Sequence, residues 1–120
     1  MGFGTDGKRA NQIPPLNVLY FAVRGKMVGD RKVNNETISR EDVLIAYTRK
    51  NAFLLFQEDV LGAIQPGKMA DLLVLDRDYL TVPAEQIKDI KPVMTMMGGR
   101  IVSDSNPSTT TSRLAAAAKN

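Results

Sequence analysis

The chain has 120 residues, 43% hydrophobic and 24% charged, with a formal net charge of +3 from sixteen basic and thirteen acidic side chains. That is room for one domain with a modest core, and it holds neither an apolar run long enough to span a membrane nor a basic run that would mark a nucleic-acid surface. It contains no histidine and no cysteine, which excludes a Ser-His-Asp triad, a Cys-His pair, a disulfide framework and a usual zinc site built from this chain alone. With no charged and then apolar leader at the start, these features predict a cytoplasmic protein.

The opening MGFGTDGKR matches two phosphate-binding patterns in its letters. Gly2, Gly4 and Gly7 spell G-x-G-x-x-G, and Gly2 to Lys8 reads G-x-x-x-x-G-K. A dinucleotide loop needs a strand before its first glycine and a helix after its last. With Gly2 second in the sequence no strand is expected before it, and the paired prolines of KRANQIPP are expected to break the helix. Arg9 stands where a P-loop needs Ser or Thr, and Asp6 stands where a myristoylation signal needs one. Read from the residues alone, this is a glycine-rich turn in which Asp6 bonds its own backbone.

Leu16, Leu19, Tyr20 and Val23 recur at i, i+3, i+4 and i+7, which predicts a helix from Leu16 to Lys26. Pro14 and Pro15 suit its first turn, and Gly25 or Gly29 its end. VGDRKVNNET is a polar loop. A second helix is expected through ISREDVLIAYTRKNAFLLF, with Ser39 and Asp42 as a capping box satisfying free N–H groups of the first turn. Val43, Ala46, Tyr47, Lys50 and Leu54 track one side of it, with Ile45, Ala52 and Phe53 widening the apolar stripe. The Met and Phe positions are expected in the core.

Beyond it the period shortens. Leu61–Ile64 reads as a short strand and Gln65-Pro66-Gly67-Lys68 as a turn. Asp71–Leu75 reads as a strand buried on both faces. Pro83 opens a short helical turn over AEQIKDI. Val93–Met97, Gly98-Gly99 and Arg100–Val102 make a β-hairpin with a two-residue glycine turn. SDSNPSTTTSRLAAAAKN is a low-complexity tail, expected to be disordered.

The stretch GAIQPGKMADLLVLDRDYLTVPAEQIKDIKPVMTMMGGRIV resembles the C-terminal segment of the amidohydrolase superfamily, and specifically its amidohydrolase-3 branch. The resemblance is carried by Gly62, Ile64, Gly67, Lys68, Ala70, Asp71 and Leu72 to Asp76, then by Val93, Gly98, Gly99, Arg100 and Val102. The helical stretch SREDVLIAYTRKNAFLLFQED resembles the same branch, and the similarity runs from Gly2 to about Val102.

That resemblance implies an α/β fold: the C-terminal fragment of a metal-dependent hydrolase (β/α)8 (TIM) barrel, with strands of its small β-sandwich. Residues 1–58 would hold the end of barrel strand 8 and the last barrel helices, 59–103 the sandwich strands, and 104–120 the tail. It places Asp6 of Gly4-Thr5-Asp6 at the mouth of the barrel, where active sites of that fold lie. There it would be catalytic and a metal residue, taking a proton from the activated water and passing it to the leaving amine. The implied reaction is hydrolysis of non-peptide C–N bonds (amide, formamide or N-acyl), with a divalent metal, zinc, in the full-length family and a small-molecule amide as substrate. The family's histidine ligands have no counterpart here, so the chain alone is expected to bind no metal tightly and to be inactive. Its expected partners are the missing barrel portion or further copies of itself, with neither nucleic acid nor membrane. The alternative is a non-catalytic interaction module that pairs its exposed strands with a partner subunit. Lys68 and Asp71 are expected in turn and strand packing, Asp71 capping N–H groups of the preceding turn. Lys8 and Arg9 are candidates to meet a substrate carboxylate, and Tyr20 and Tyr47 are expected at the edge of the core.

Overall fold

The computed structural model describes residues 1–4, 14–27 and 29–105. The chain divides into two units, one made of Met1–Lys68 with Arg77–Ile90, the other of Met69–Asp76 with the residues from Lys91 onward. The tail expected from residue 104 lies outside the described residues from 106 on.

In the first unit, helix α1 spans Pro15–Arg24 and stops at Gly25, whose N–H donates to Phe21 O at 2.7 Å. The fixed φ of proline suits the first helical position, where the lost N–H would have no helical partner. Leu16, Leu19 and Tyr20, which the sequence spacing selects, are buried together with Ala22, whereas Val23 is only half-buried. Helix α2, Arg40–Tyr47, begins at the expected cap: Ser39 Oγ accepts the Asp42 N–H at 3.1 Å. The Asp42 carboxylate takes the Ser39 hydroxyl at 2.8 Å rather than a backbone N–H.

The long helix expected through Phe56 is broken. Thr48 leaves helical geometry at φ −113° and ψ −81°, and a separate helix α3 follows over Arg49–Leu54. The Thr48 hydroxyl donates to Leu44 O at 2.7 Å, a back-bond that bends helices. The period is lost at the break. Val43, Ala46 and Ala52 are buried, but Ile45, Phe53 and Leu54 are exposed. Among the described residues no Met or Phe is buried either. The core is Leu, Ile, Val, Ala and Tyr instead.

Helix α3 ends in a Schellman motif, with Gln57 N–H on Ala52 O at 2.9 Å and Phe56 N–H on Phe53 O at 3.0 Å. The left-handed position of that motif usually holds glycine, yet here it is Phe56 at φ 55° with 87% of the residue exposed. Phe56→Gly removes the steric cost and sacrifices almost no burial. It is expected to stabilise the chain by about 1 kcal/mol, read as a higher urea midpoint; an unchanged midpoint would contradict the strain.

Leu61–Ile64, expected as a strand, is a series of bends, and Ile64 is exposed. The following turn is as expected, with Lys68 N–H on Gln65 O at 3.2 Å and Gly67 at φ 87°. A 3₁₀ helix spans Ala84–Asp89 behind Pro83 and packs on α1. Ile87 and Ile90 are buried. Arg40 Nη1 donates to the carbonyls of Tyr79 and Leu80, each at 2.9 Å, while the Tyr79 hydroxyl donates back to Arg40 O at 3.2 Å. Burial pushes the Tyr79 phenol up to about 12.

The second unit is a three-stranded antiparallel sheet of order β1-β2-β3, with β1 Leu72–Leu75, β2 Pro92–Met97 and β3 Arg100–Asp104. Leu73 pairs with Thr95, and Thr95 with Ser103. The β2–β3 turn is the expected pair Gly98-Gly99, at φ 54° and 78°, the two positive values that a tight hairpin requires. The double burial expected of β1 is not found: Leu73 and Val74 are 55% and 44% exposed. Such a run is buried only where a layer covers each face, and the described part of this unit consists of the sheet alone.

Candidate functional site

Asp6, the residue predicted to carry chemistry, lies outside the described residues, as do Lys8 and Arg9. The chain that leads to Asp6 is described up to Gly4. Asn51 of α3 holds it there: Asn51 Oδ1 accepts the Phe3 N–H at 3.1 Å, and Nδ2 donates to Phe3 O at 2.8 Å. The same Nδ2 donates to Tyr47 O at 3.1 Å.

The motif residues that carry the resemblance have structural work. Lys68 Nζ donates to the carbonyls of Glu58 and Leu61, tying its turn to the end of the preceding loop. Asp71 Oδ1 accepts the Gly98 N–H at 2.6 Å. It therefore caps the hairpin turn between β2 and β3, not the turn preceding it, because the antiparallel sheet brings Gly98 back beside the start of β1. Lys68 also lines a cavity of about 180 Å³ with Arg49, Glu58, Leu61, Ala63 and Gln65. That is small beside the roughly 300–1,000 Å³ of small-molecule sites.

One polar constellation was not legible in the sequence. Tyr20, expected at the core edge, is wholly buried as a residue, yet its hydroxyl lies 2.8 Å from both Asp30 Oδ1 and Glu85 Oε2. A phenol has one hydrogen, so at any instant it donates to one of the two carboxylates. Cations surround them. Arg24 Nη2 is 2.5 Å and Lys26 Nζ 3.4 Å from Glu85 Oε1, and Lys88 Nζ is 3.3 Å from Asp30 Oδ1. Lys88 also stands 5.3 Å from the Tyr20 ring centroid.

Burial first, and then the two carboxylates, push the Tyr20 phenol far up. The hydrogen bond from Tyr20, followed by Lys88, holds Asp30 below its ordinary value. The Tyr20 bond, followed by Arg24 and working against partial burial, does the same for Glu85. A phenol so held stays neutral at physiological pH and is no base. The constellation acts as a fastener between α1, the turn at Asp30 and the 3₁₀ helix. The only trace it leaves in the sequence is a tyrosine on the apolar face of α1.

Among the described residues, no group of three or more Asp, Glu, His or Cys side chains is placed to hold a metal ion. With no histidine or cysteine in the sequence, these residues do not fit a metal centre by themselves. No helix among them is long and apolar enough to cross a membrane.

An antiparallel sheet, a helical unit and Phe3 clasped to α3 are compatible with the motif reading, and comparison with known sequences names the class. The profile of the amidohydrolase family matches residues 1–103, and the chain belongs to that family. It is similar to the N-substituted formamide deformylase of Arthrobacter pascens, 29% identical over 86 residues covering 71% of this chain and 16% of that protein. It is also similar to the 5-methylthioadenosine/S-adenosylhomocysteine deaminase of Symbiobacterium thermophilum, 29% identical over 113 residues covering 85% of this chain and 26% of that protein. The chain thus spans only about a sixth to a quarter of the length of these relatives. No solved structure matches it.

Proposed function

We propose that this chain is the C-terminal part of a metal-dependent amidohydrolase that hydrolyses amide, formamide or N-acyl C–N bonds, and that it is inactive alone. The observation that carries this reading is the family match over residues 1–103, set beside relatives several times longer than the matched segment. One of those relatives is named for deformylating N-substituted formamides and the other for deamination; both reactions release nitrogen from carbon. In this reading the unit containing α1–α3 closes a (β/α)8 barrel and the antiparallel sheet belongs to the companion β-sandwich. The metal, zinc in this reading, is held chiefly by side chains outside this chain, with Asp6 beside it; the described residues do not fit one by themselves. This chain supplies Asp6, whose carboxylate accepts a proton from the attacking water and returns it to the departing amine.

The test is a chimaera in which residues 1–103 replace the segment they match in the A. pascens deformylase. The chimaera is expected to hydrolyse an N-substituted formamide, and the chain alone is expected neither to bind zinc tightly nor to hydrolyse. Tight zinc binding with hydrolysis by the isolated chain would overturn the reading.

A second reading rests on the sheet. Strands β1 and β3 each present an edge with no strand partner among the described residues, and Leu73 and Val74 are exposed. Such edges pair readily with another chain. A chimaera whose activity ignores Asp6 would favour this interaction module.

A further inference from the structure

We propose that Asn51 is a positioning residue for the segment that carries Asp6. The inference rests on the role given to Asp6 above. In an extended chain the N–H and C=O of one residue point to the same side. A primary amide offers a donor and an acceptor side by side and so matches both. Asn51 makes that match with Phe3, at 3.1 and 2.8 Å, and its bond to Tyr47 O at 3.1 Å anchors the amide to the preceding helix. With two carbonyls on Nδ2 and an N–H on Oδ1, only one orientation of the amide satisfies all three bonds.

Two further observations point the same way. A Cβ built on Gly2 would lie 2.2 Å from Asn51 Oδ1 and 2.6 Å from Leu54 Cδ1, so the clasp closes only over a glycine. Asparagine is also a poor helix former, yet it stands inside the six-residue α3; its bonds across the chain account for it where propensity does not. Asp6 is the third residue after Phe3, a reach of at most about 11 Å. Holding Phe3 by both backbone groups sets the point from which the chain runs on toward Asp6, and a misplacement of about 1 Å is enough to cost a reaction roughly 100-fold.

The experiment uses the full chain, isotopically labelled, with amide exchange read at Phe3 and amide signals read at residues 4–6. Asn51→Ala and Gly2→Ala are each expected to speed exchange at Phe3 by about tenfold or more. Both should also shift the signals of residues 4–6 toward free-peptide values, while protection at Val43 and Ala46 holds. Asn51→Asp supplies a readout that a merely structural role would not move. As a carboxylate it keeps the acceptor and loses the donor; as a neutral acid it has both again. Protection at Phe3, corrected for intrinsic exchange, and the signals of residues 4–6 are therefore expected to return together on acidification. An unprotected Phe3 in the native chain, or signals at residues 4–6 that ignore all three variants, would overturn the proposal. Asp6→Asn is expected to leave Phe3 protected, so an inert Asp6 would sink the catalytic reading and leave the clasp standing.

Discussion

Asp6→Asn in the deformylase chimaera is expected to lower kcat by about 100- to 10,000-fold while KM changes far less. The substitution keeps the size and shape of the side chain and removes its charge and its ability to take a proton. A loss confined to kcat is the signature of an interaction made in the transition state and not in the ground state. Steady-state kinetics with bound metal measured in parallel reads the effect. A kcat within a few-fold of the parent, at equal metal content, removes Asp6 from the chemistry. The supporting framework is already visible up to Gly4: Phe3 is held through both of its backbone groups by Asn51, and Asn51 is tied to Tyr47 O.

Ile87→Ala is expected to destabilise the chain by about 2–5 kcal/mol, measured as a fall in urea-unfolding free energy followed by far-UV circular dichroism. Ile87 is wholly buried on the 3₁₀ helix that packs against α1. Two kinds of interaction hold that helix, and their magnitudes decide between them. The ion pair of Arg24 with Glu85 joins side chains 40% and 46% exposed, and pairs so open to water contribute little. Deleting buried methyl groups removes transfer free energy and leaves a cavity as well. The apolar anchor therefore outweighs the charges, and Glu85→Gln is expected to cost much less than Ile87→Ala. The reverse order would mean that the Tyr20 constellation contributes more than the core to fastening the 3₁₀ helix.

The elements legible in the sequence are those whose cause is local. Pro15 and Gly25 bound α1 because proline's ring and the left-handed cap act within one turn. The Ser39 cap, the Gln65–Lys68 turn and the Gly98-Gly99 hairpin are likewise decided by groups no more than a few residues apart. The family was legible for a related reason. Many of its signature letters between Gly62 and Val102 are requirements of backbone and cap. Gly67 takes the positive φ of its turn, Lys68 holds two carbonyls and Asp71 holds Gly98.

The misreadings share the opposite cause. A helix that looked continuous through Phe56 breaks at Thr48, where the backbone of Gly62 arrives: a Cβ there would meet Ala52 Cβ at 2.7 Å and Thr48 O at 3.2 Å. The apolar run Leu72–Leu75 looked buried because its composition is that of a covered strand, and composition says nothing about whether a cover is present.

By itself, then, the sequence determined the family, the places of α1 and the hairpin, and the absence of histidine and cysteine chemistry, since each is a property of residue type or of neighbours in the chain. Only the tertiary structure decided that Asn51 clasps Phe3 across 48 residues, that Glu85 reaches Tyr20 across 65, and that Asp71 caps a turn 27 residues on. Those contacts depend on where the chain returns in space, and a hydrogen bond is indifferent to the length of chain between its partners.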